Sequence, residues 1–497
     1  MKKEERQDSY SHILKYTGLF GGVQGLNILV GIVRTKFVAL LLGPEGMGLL
    51  ALFNSTIKLV SESTNLGLPV SAVREISDAY ENGDHERLNH TVKLIRSWSV
   101  ITALLGMLLC LLLSPWLDRW SFDWGNHTLH YAMLSPIIAL MAVTGGELAV
   151  LKGVRQLHHL AALSVYNMLA SLVITVPLIY LWGERAIIPS LFFVALVQML
   201  LTIYCSYRQF PLHISFARPL LGEGVSMVKL GVAFVVAGIF GSGVDFIVRS
   251  YLNNAGSLDI VGMFNAGYMM TMTYGGLVFS AMETDYFPRL SAVNELGARL
   301  NETVNKQIEV SILLLSPMLM AFMVGLPILV PLLYSKAFMG VVGMAQVLVF
   351  AMFIRAITLP IEYLPLARGD SGSFRLMETL YDIMVVGLVI ACFRLWGLTG
   401  TGVALVVAGV MNLCMVLIYM RYKYNYVLSG TVVKYALMHL PLLAGAYLAT
   451  CLEVNWMYWV AGMLLVVLSL CISLQVLHTK ARLWDSLKKK WRERWQR

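Results

Sequence analysis

The sequence predicts an all-α integral membrane protein with about 14 transmembrane helices. Apolar residues make up 58% of the 497 positions and charged residues only 13%, whereas about 25% of residues in soluble domains are charged. The apolar residues also form blocks of about twenty, the length that a helix needs to cross about 30 Å of hydrocarbon. Strands of a transmembrane barrel would instead alternate polar and apolar residues. A soluble fold and a barrel are therefore both excluded.

Apolar windows place the spans at 16–42, 47–69, 94–116, 128–150, 158–181, 186–207, 228–251, 259–282, 307–333, 341–364, 376–394, 398–420, 435–452 and 456–478. With this parity, one side holds only four of the 38 Lys and Arg residues, namely Arg119, Arg185 and Lys336 in loops and Arg394 at the end of a span. Because basic loops stay in the cytoplasm, we expect both termini there. The charged segment 1–12 lacks the pattern of a signal peptide, so the first apolar block is expected to remain as a helix.

Local matches separated by 214–216 residues indicate an internal duplication. They pair Val33-Arg34 with Val248-Arg249, Arg74 with Arg289, Lys152-Gly153 with Arg368-Gly369, and Leu181-Trp182-Gly183 with Leu395-Trp396-Gly397. The offset covers six spans, an even number, so both repeats have the same orientation. We expect two parallel six-helix lobes, 13–210 and 225–425, around a central cavity. Two extra C-terminal helices at 434–478 and a basic cytoplasmic tail at 479–497, suited to anionic lipid headgroups, complete the prediction.

Basic side chains inside the spans are the candidates for substrate binding, because a charge in lipid is costly and usually faces a cavity or a partner. These residues are Arg34, Lys36, Lys58, Arg249 and Arg355. Together they would form a cationic cavity suited to a phosphate-bearing substrate, since the arginine fork matches phosphate oxygens. For Lys58 with Glu62, and for Asp245 with Arg249, the alternative is an ion pair within one helix, because each pair is four residues apart.

Three acidic residues within spans, Glu62, Glu147 and Asp245, are candidates for coupling transport to protons or sodium, because a carboxylate in a low dielectric binds protons more readily. We find no phosphate-binding loop, nucleophile elbow or zinc motif. The six cysteines all fall inside apolar blocks without zinc spacing. The sequence therefore predicts a transporter without a cofactor or metal, and no enzyme.

Four strings resemble those of bacterial polysaccharide exporters of the O-antigen flippase (Wzx) type. They are GIVRTKFVALLLGPEG at 31–46, LKGVRQLHHL at 151–160, LARGDSGSF at 366–374 and LWGLTGTGVA at 395–404. The resemblance extends over about residues 13–425 and implies membership of the multidrug/oligosaccharidyl-lipid/polysaccharide exporter superfamily. By the same resemblance, Arg34 falls where lipid II flippases carry a cavity arginine on their first helix. The basic residue that those flippases carry in span eight has no counterpart here.

The resemblance implies a flippase that moves an undecaprenyl-diphosphate-linked oligosaccharide, of the O-antigen or enterobacterial-common-antigen type, from the cytoplasmic to the periplasmic leaflet by alternating access. The expected location is the bacterial inner membrane, as a multi-pass protein. Expected partners are this lipid-linked substrate, membrane lipids, and the polymerase and chain-length proteins of the same lipopolysaccharide pathway. No nucleic acid partner is expected, because the net charge of +9 lies on the predicted cytoplasmic side.

Two other functions remain open from sequence. A drug or cation antiporter of the same superfamily would prefer an acidic cavity and usually has twelve spans. The fourteen predicted spans and the basic residues Arg34 and Arg249 therefore count against an antiporter. A membrane glycosyltransferase or polymerase usually carries a large periplasmic loop. The longest outer loop here, 117–127, is too short for such a site.

Overall fold

The computed structural model describes the backbone of residues 2–293, 297–452 and 454–481 and most side chains from residue 22 onward, and all regular structure in these segments is helical. The predicted basic tail at 479–497 therefore lies largely outside the described residues. Contacts divide the chain into two compact units. The first unit runs to Gly262 and also includes Leu333–Ser335, and the second contains the described residues that remain.

The helices are long and joined by short turns. Those of the first unit are α1 (Lys2–Thr64), α2 (Leu68–Glu81), α3 (His85–Ser121), α4 (Thr128–Met133), α5 (Ser135–Gly153), α6 (Leu157–Trp182), α7 (Ile187–Tyr207) and α8 (Arg218–Ala255). The helix α9 (Leu258–Tyr268) crosses the boundary between the units. The second unit continues with α10 (Tyr274–Ser291), α11 (Ala298–Leu333), α12 (Val342–Ala367), α13 (Ser371–Tyr424), α14 (Gly430–Thr450) and α15 (Asn455–Ala481).

The predicted all-α membrane fold is confirmed. In the described part of the chain, nine helical segments are long and apolar enough to cross a bilayer. Three of them are two helices joined at a break: α1 at Gly43, the segment formed by α6 and α7, and α13 at Trp396 and Gly397. The seventh and eighth predicted spans coincide with α8 and with α9 and α10. Large apolar side chains such as Leu395 and Ile418 are exposed, as expected of surfaces that face lipid.

The long helix α1 breaks where glycine and proline follow each other. Gly43 has φ +65° and ψ −171°, a conformation that side chains with a Cβ rarely adopt. Pro44 follows as the first residue of the next helical segment, where its missing N–H costs nothing. The break therefore separates the first two predicted spans with almost no intervening loop.

The two Trp-Gly pairs of the predicted repeats have matching backbone angles. Trp182 and Gly183 have φ values of −124° and +59°, and Trp396 and Gly397 have values of −132° and +56°. Each pair ends one apolar helix and begins the next. Equal backbone angles at positions 214 residues apart show that the repeats share local geometry as well as sequence.

The turn after α5 and the turn after α12 are also equivalent. Backbone N–H groups of Arg155 and Gln156 bond to the carbonyls of Lys152 and Leu151, and those of Gly369 and Asp370 bond to Leu366 and Pro365. All four positions match at an offset of 214. The pairing of Lys152-Gly153 with Arg368-Gly369 at 216 is therefore wrong by two residues. Arg155, at φ +56°, occupies the left-handed position that Gly369 occupies in the second repeat.

A reciprocal glycine contact joins the second part of α1 to α9 within the first unit. A Cβ on Gly48 would lie 2.0 Å from the carbonyl oxygen of Leu258, and a Cβ on Gly262 would lie 1.9 Å from that of Pro44. Gly48 corresponds to Gly262, and Pro44 to Leu258, at the offset of 214. Each repeat therefore supplies the same glycine and the same carbonyl, and the helices cross at backbone contact.

The two C-terminal helices pack against α11 and α12 within the second unit. The Tyr458 hydroxyl donates to the Val324 carbonyl at 2.8 Å, and Gly462 lies directly against the Val324 side chain. These contacts join α15 to α11, and Tyr447 on α14 forms an edge contact with Phe350 on α12. Fully buried His439 on α14 hydrogen-bonds Ser469 on α15. The pair is therefore held to α11 and α12 by apolar contact and to itself by a polar one.

The glycine crossing yields a stability prediction. Gly48→Ala and Gly262→Ala should each lower stability by about 1–3 kcal/mol or more, because the new methyl group meets a backbone carbonyl that no side-chain rotation can move. Gly31→Ala is the matched control in α1, since no heavy atom lies within 4 Å of its added Cβ. Thermal unfolding of the three purified variants measures the difference. Equal unfolding temperatures for all three would contradict the close crossing.

Candidate functional site

A charged cluster in the first unit joins two predicted spans. The Lys58 ammonium donates to Asp245 Oδ2 at 3.0 Å, and Arg249 Nη1 donates to Asp245 Oδ1 at 2.9 Å. One carboxylate on α8 thus holds a lysine from α1 and an arginine from its own helix. The alternative of an ion pair within one helix is therefore correct for Asp245 with Arg249, whereas Lys58 pairs with Asp245 rather than with Glu62.

Helix packing places this cluster. The second part of α1 runs antiparallel to α8, and Gly67 meets Gly231 near one end while Glu62 meets Gly238 further along. Because Gly231 and Gly238 on α8 have no side chains, the helices approach closely enough for Lys58 to reach Asp245. The Lys58 side chain nevertheless stays 55% exposed. Its ammonium group has three donors and directs one of them to Asp245.

Arg34 lies on the first part of α1, beside α6. Its Nη1 donates to the Ser171 hydroxyl at 2.5 Å, and two turns earlier the Asn27 amide donates to Ser164 at 2.8 Å. The equal spacing of these two contacts shows that α1 and α6 run parallel. Arg34 is exposed and Lys36 is half-buried on the same helix. Arg34 is thus an exposed residue within an apolar helix, and its guanidinium makes a partly buried hydrogen bond.

Glu62 and Lys58 line a cavity of about 220 Å³ in the first unit. The second part of α1 and helices α5 and α7 form its walls, and Asn54, Ser61 and Gln198 add neutral polar groups. Glu62 accepts a hydrogen bond from the Asn65 amide at 3.0 Å. The cavity therefore offers one basic, one acidic and several neutral hydrogen-bonding side chains between otherwise apolar helices.

Glu147 has a different environment from the other predicted carboxylates. It is buried and accepts from Arg96 Nε at 2.8 Å, from Arg96 Nη2 at 3.3 Å and from the Ser206 hydroxyl at 2.5 Å. Arg96 also donates to the Pro211 carbonyl and stacks on the Tyr207 ring. This two-pronged pair ties α3, α5 and α7 together. The contacts give Glu147 a structural role, and its role in ion coupling stays a prediction.

Arg355 lies apart from these groups, in the second unit, on the wall of a cavity of about 200 Å³. Glu362 and Glu378 line the same cavity, with Tyr381 and Asn412. The Asn412 amide donates to Glu362 Oε1 at 2.7 Å. The predicted cationic group is therefore divided between the two units, and its member in the second unit has acidic neighbours.

Sequence reasoning did not identify three of these polar residues: Arg96, Tyr381 and Asn412. Arg96 is the third residue of the apolar window 94–116, where a basic residue is hard to distinguish from one in the preceding loop. Its distance of 51 residues from Glu147 carries no periodic signal. Tyr381 and Asn412 are uncharged, and a neutral polar residue inside a span is too common to be selected. The helical spacing of Glu378 and Tyr381 could have placed them on one face.

A polar cluster surrounds Asp370, in the turn before α13. The carboxylate accepts from the backbone N–H of Ser373 at 3.2 Å as an N-cap, and from the hydroxyls of Ser373 and Tyr424 at 2.6 and 2.7 Å. The Lys423 ammonium lies 2.5 Å from its Oδ2. Hydrogen bonds from Lys423, then Ser373 and Tyr424, hold the pKa of Asp370 well below its usual range. The cluster joins the two ends of α13.

Breaks, repeats and charged groups of this kind define a multi-pass membrane protein built from a duplicated bundle of helices. Residues 13–294, more than half of the chain, match the family model described as polysaccharide biosynthesis protein. The chain therefore belongs to this family. No curated protein sequence matches it significantly.

Solved transporter structures share the fold. The lipid II flippase MurJ in an inward closed conformation aligns with a TM-score of 0.73 and 13% identity, over 93% of this chain and 99% of MurJ. An inward-facing multidrug resistance transporter of the MATE family aligns with a TM-score of 0.66 and 16% identity, over 80% of this chain and 94% of its own. A MOP superfamily transporter from Pyrococcus furiosus gives 0.54 and 14%, over 82% and 93%. The protein thus has the fold of MOP-superfamily transporters and flippases.

Replacement of Glu147 distinguishes a structural role from ion coupling. Glu147→Gln should lower the free energy of unfolding by about 3–5 kcal/mol, because it leaves the buried Arg96 charge without its counterion. Glu81→Gln, which breaks an exposed pair with Arg155, should cost less than about 1 kcal/mol. Denaturation of the purified proteins measures both. A Glu147→Gln protein of normal stability that fails to transport would reverse the assignment and indicate ion coupling.

The Asp370 cluster predicts a defined pH dependence. Since its folded pKa lies below the unfolded value, its stabilising contribution is complete above about pH 4 and is lost as pH falls further. Asp370→Asn should therefore unfold at a lower temperature than the wild type at pH 7, because the neutral amide can still cap the helix but loses the ion pair with Lys423, which is worth up to about 1 kcal/mol. The difference should narrow below about pH 4. A difference that is unchanged down to pH 3 would contradict the assigned pKa direction.

Proposed function

We propose that this protein is a flippase that moves an undecaprenyl-diphosphate-linked oligosaccharide from the cytoplasmic to the periplasmic leaflet of a bacterial inner membrane. The repeat unit would be of the O-antigen or enterobacterial-common-antigen type. Membership of the polysaccharide biosynthesis family supports a glycan pathway. The fold shared with a lipid II flippase supports a mechanism in which a large lipid-linked headgroup crosses the bilayer.

The observation that carries the proposal is the exposure of basic groups inside apolar helices of the first unit. Arg34 is exposed, and Lys58 is more than half exposed although it pairs with Asp245. A charge at this depth is retained only where it serves a partner or a ligand. A diphosphate offers the oxygens that a guanidinium and an ammonium group bind. Arg249 is less suited to direct contact, because it is nearly buried against Asp245.

We further propose that transport proceeds by alternating access with both termini in the cytoplasm. The distribution of basic residues among the loops supports this orientation. The polyprenyl tail would stay in lipid while the diphosphate and sugars pass through a polar path. The lipid-linked substrate would come from enzymes on the cytoplasmic side, and polymerase and chain-length proteins would act on the product.

Among the carboxylates, Asp245 is the best candidate for coupling to protons. It holds both Lys58 and Arg249, so protonation would remove the counterion of two cations at once. Lys58 would then be released towards an anionic ligand. Glu62 remains a second candidate, because it lines the cavity of the first unit beside Lys58.

A drug or cation antiporter is the alternative. Its support is the likeness to transporters of the MATE family and the presence of Glu362 and Glu378 in the cavity of the second unit. An antiporter would protect cells from cationic drugs and would not restore a surface glycan. The two functions are therefore separated by one pair of assays.

Complementation tests the proposal. A strain without its own O-antigen or common-antigen flippase should regain surface glycan with the wild-type protein. Arg34→Ala should reduce that glycan by at least about tenfold, because a charge-assisted hydrogen bond to phosphate is worth about 1.5–3 kcal/mol. Arg34→Lys keeps the charge without the fork and should retain intermediate activity. Surface glycan is measured by immunoblotting with an antiserum against the repeat unit.

Arg119→Ala is the matched control, since this exposed arginine ends α3 outside the apolar windows. It should support normal surface glycan at equal membrane abundance. Full activity of Arg34→Ala would remove Arg34 from the substrate site. If the wild type or a variant restored drug resistance but not surface glycan, the antiporter function would be favoured.

A further inference from the structure

The cavity of the second unit has an ordered polar lining. On α12, Arg355, Thr358 and Glu362 follow one another at helical spacing, and on the first part of α13, Phe374, Glu378 and Tyr381 do the same. Such spacing places each set on one face of its helix. The second part of α13 adds Gly409 and Asn412. Three helical faces thus direct charged, amide, hydroxyl and aromatic groups into one space.

The guanidinium of Arg355 is the central donor of this cavity. Within the described part of the chain, it makes no hydrogen bond and no ion pair shorter than 4.0 Å, although Glu362 and Glu378 interact with it electrostatically. Its side chain is exposed to the cavity, as is that of Glu378. A guanidinium carries five N–H donors that favour hydrogen-bond partners. The arrangement therefore leaves space for acceptor atoms between Arg355 and the two carboxylates.

Asn412 holds the carboxylate of Glu362 in place on the acidic side of the cavity. Its amide donates to Glu362 Oε1 at 2.7 Å, so the other oxygen of this carboxylate is held in a defined direction and can accept from a ligand. The Tyr381 hydroxyl can donate or accept. The wall thus offers both donors and acceptors, which suits a ligand that carries both.

The charges of the cavity exclude two simple ligands. Two carboxylates beside one guanidinium repel a diphosphate, so Arg355 does not suit the phosphate role predicted for it from sequence. The guanidinium in turn opposes a bare metal cation. A neutral ligand with several hydroxyl groups satisfies both signs, since each hydroxyl donates to a carboxylate and accepts from Arg355.

The size and shape of the cavity further restrict which ligands it can bind. The volume of about 200 Å³ is below the range of about 300–1,000 Å³ found for drug-sized ligands. Tyr363, Phe374 and Tyr381 supply aromatic rings, which pack on the apolar face of a sugar ring. Gly409 adds no side chain, and an added Cβ would meet its nearest neighbour, Ile354, only at 3.6 Å. The space fits one ring rather than a whole oligosaccharide.

We propose that this cavity, formed by Arg355, Glu362, Glu378, Tyr381 and Asn412, is a binding site for one neutral sugar ring of a saccharide. The proposal rests on the proposed function and assigns the part of the substrate that the basic residues of the first unit do not bind. The diphosphate and the sugar are then recognised by different side chains. In this assignment, Arg355 binds the saccharide.

Saturation-transfer difference NMR on the full-length protein tests the proposal. The probe is the neutral repeat-unit saccharide released by mild acid from the lipid-linked precursor of the same cells. The wild type should transfer magnetisation to protons of one sugar ring. Glu378→Gln, which keeps the shape of the side chain, should weaken this signal at least fivefold. Tyr381→Phe, which removes only a hydroxyl, should weaken it at least twofold.

Glu81→Gln is the matched control, because it removes an exposed carboxylate of the first unit and should leave the signal unchanged. Undecaprenyl diphosphate without sugar should not displace the saccharide. Absence of transfer to the wild type, equal signals for all variants, or displacement by the sugar-free diphosphate would each overturn the proposal. Unfolding temperatures confirm that the variants are folded.

The complementation assay separates this proposal from the proposed function. Restored surface glycan by the wild type, together with equal sugar signals for wild type and Glu378→Gln, would overturn only the sugar site. Sugar transfer that depends on Glu378 without restored glycan would retain the site and overturn the flippase.

Discussion

The cost of a charge in hydrocarbon constrains this protein more than any other interaction. Each buried or half-buried ion of the described spans is tied to a neighbour or opens to a cavity, because an isolated charge at that depth costs several kcal/mol. Glu147 and Arg96 meet this constraint by complete pairing inside the first unit. Lys58 meets it by partial pairing, with much of its side chain exposed. The degree of pairing, rather than the presence of charge, therefore separates structural groups from candidate ligand-binding groups.

The two units use this constraint in different ways. In the first unit, one carboxylate, Asp245 on α8, pairs with two cations, Lys58 on α1 and Arg249 on α8. The second unit surrounds one cation, Arg355, with acidic and neutral acceptors on α12 and α13. Repeats that share backbone angles at Trp182-Gly183 and Trp396-Gly397 have thus acquired unlike polar interiors. A duplicated scaffold can therefore carry two distinct recognition surfaces.

Much of the fold could be predicted from sequence, because a bilayer imposes span length and apolarity on every helix. The duplication was also visible, since Leu-Trp-Gly recurs at 181–183 and 395–397 and three further matches lie at nearly the same offset. The pairing of charges was harder to predict. Lys58 and Asp245 are 187 residues apart and meet where Gly231 and Gly238 on α8 lie close to Gly67 and to Glu62. Arg96 was missed for a similar reason, because a basic residue at the start of a span resembles one in a loop.

The crossing at Gly48 and Gly262 could act as a pivot between two helices, because their backbones touch at this one point. Two helices in backbone contact at one point can change their angle there while their separation at that point stays almost constant. Thr64, at the far end of the same helical segment, is about 24 Å away at about 1.5 Å per residue. A change of about 10° in the crossing angle would shift that end by about 4 Å. A small rotation at two glycines would thereby become a displacement larger than a water molecule at the opposite end of the helix.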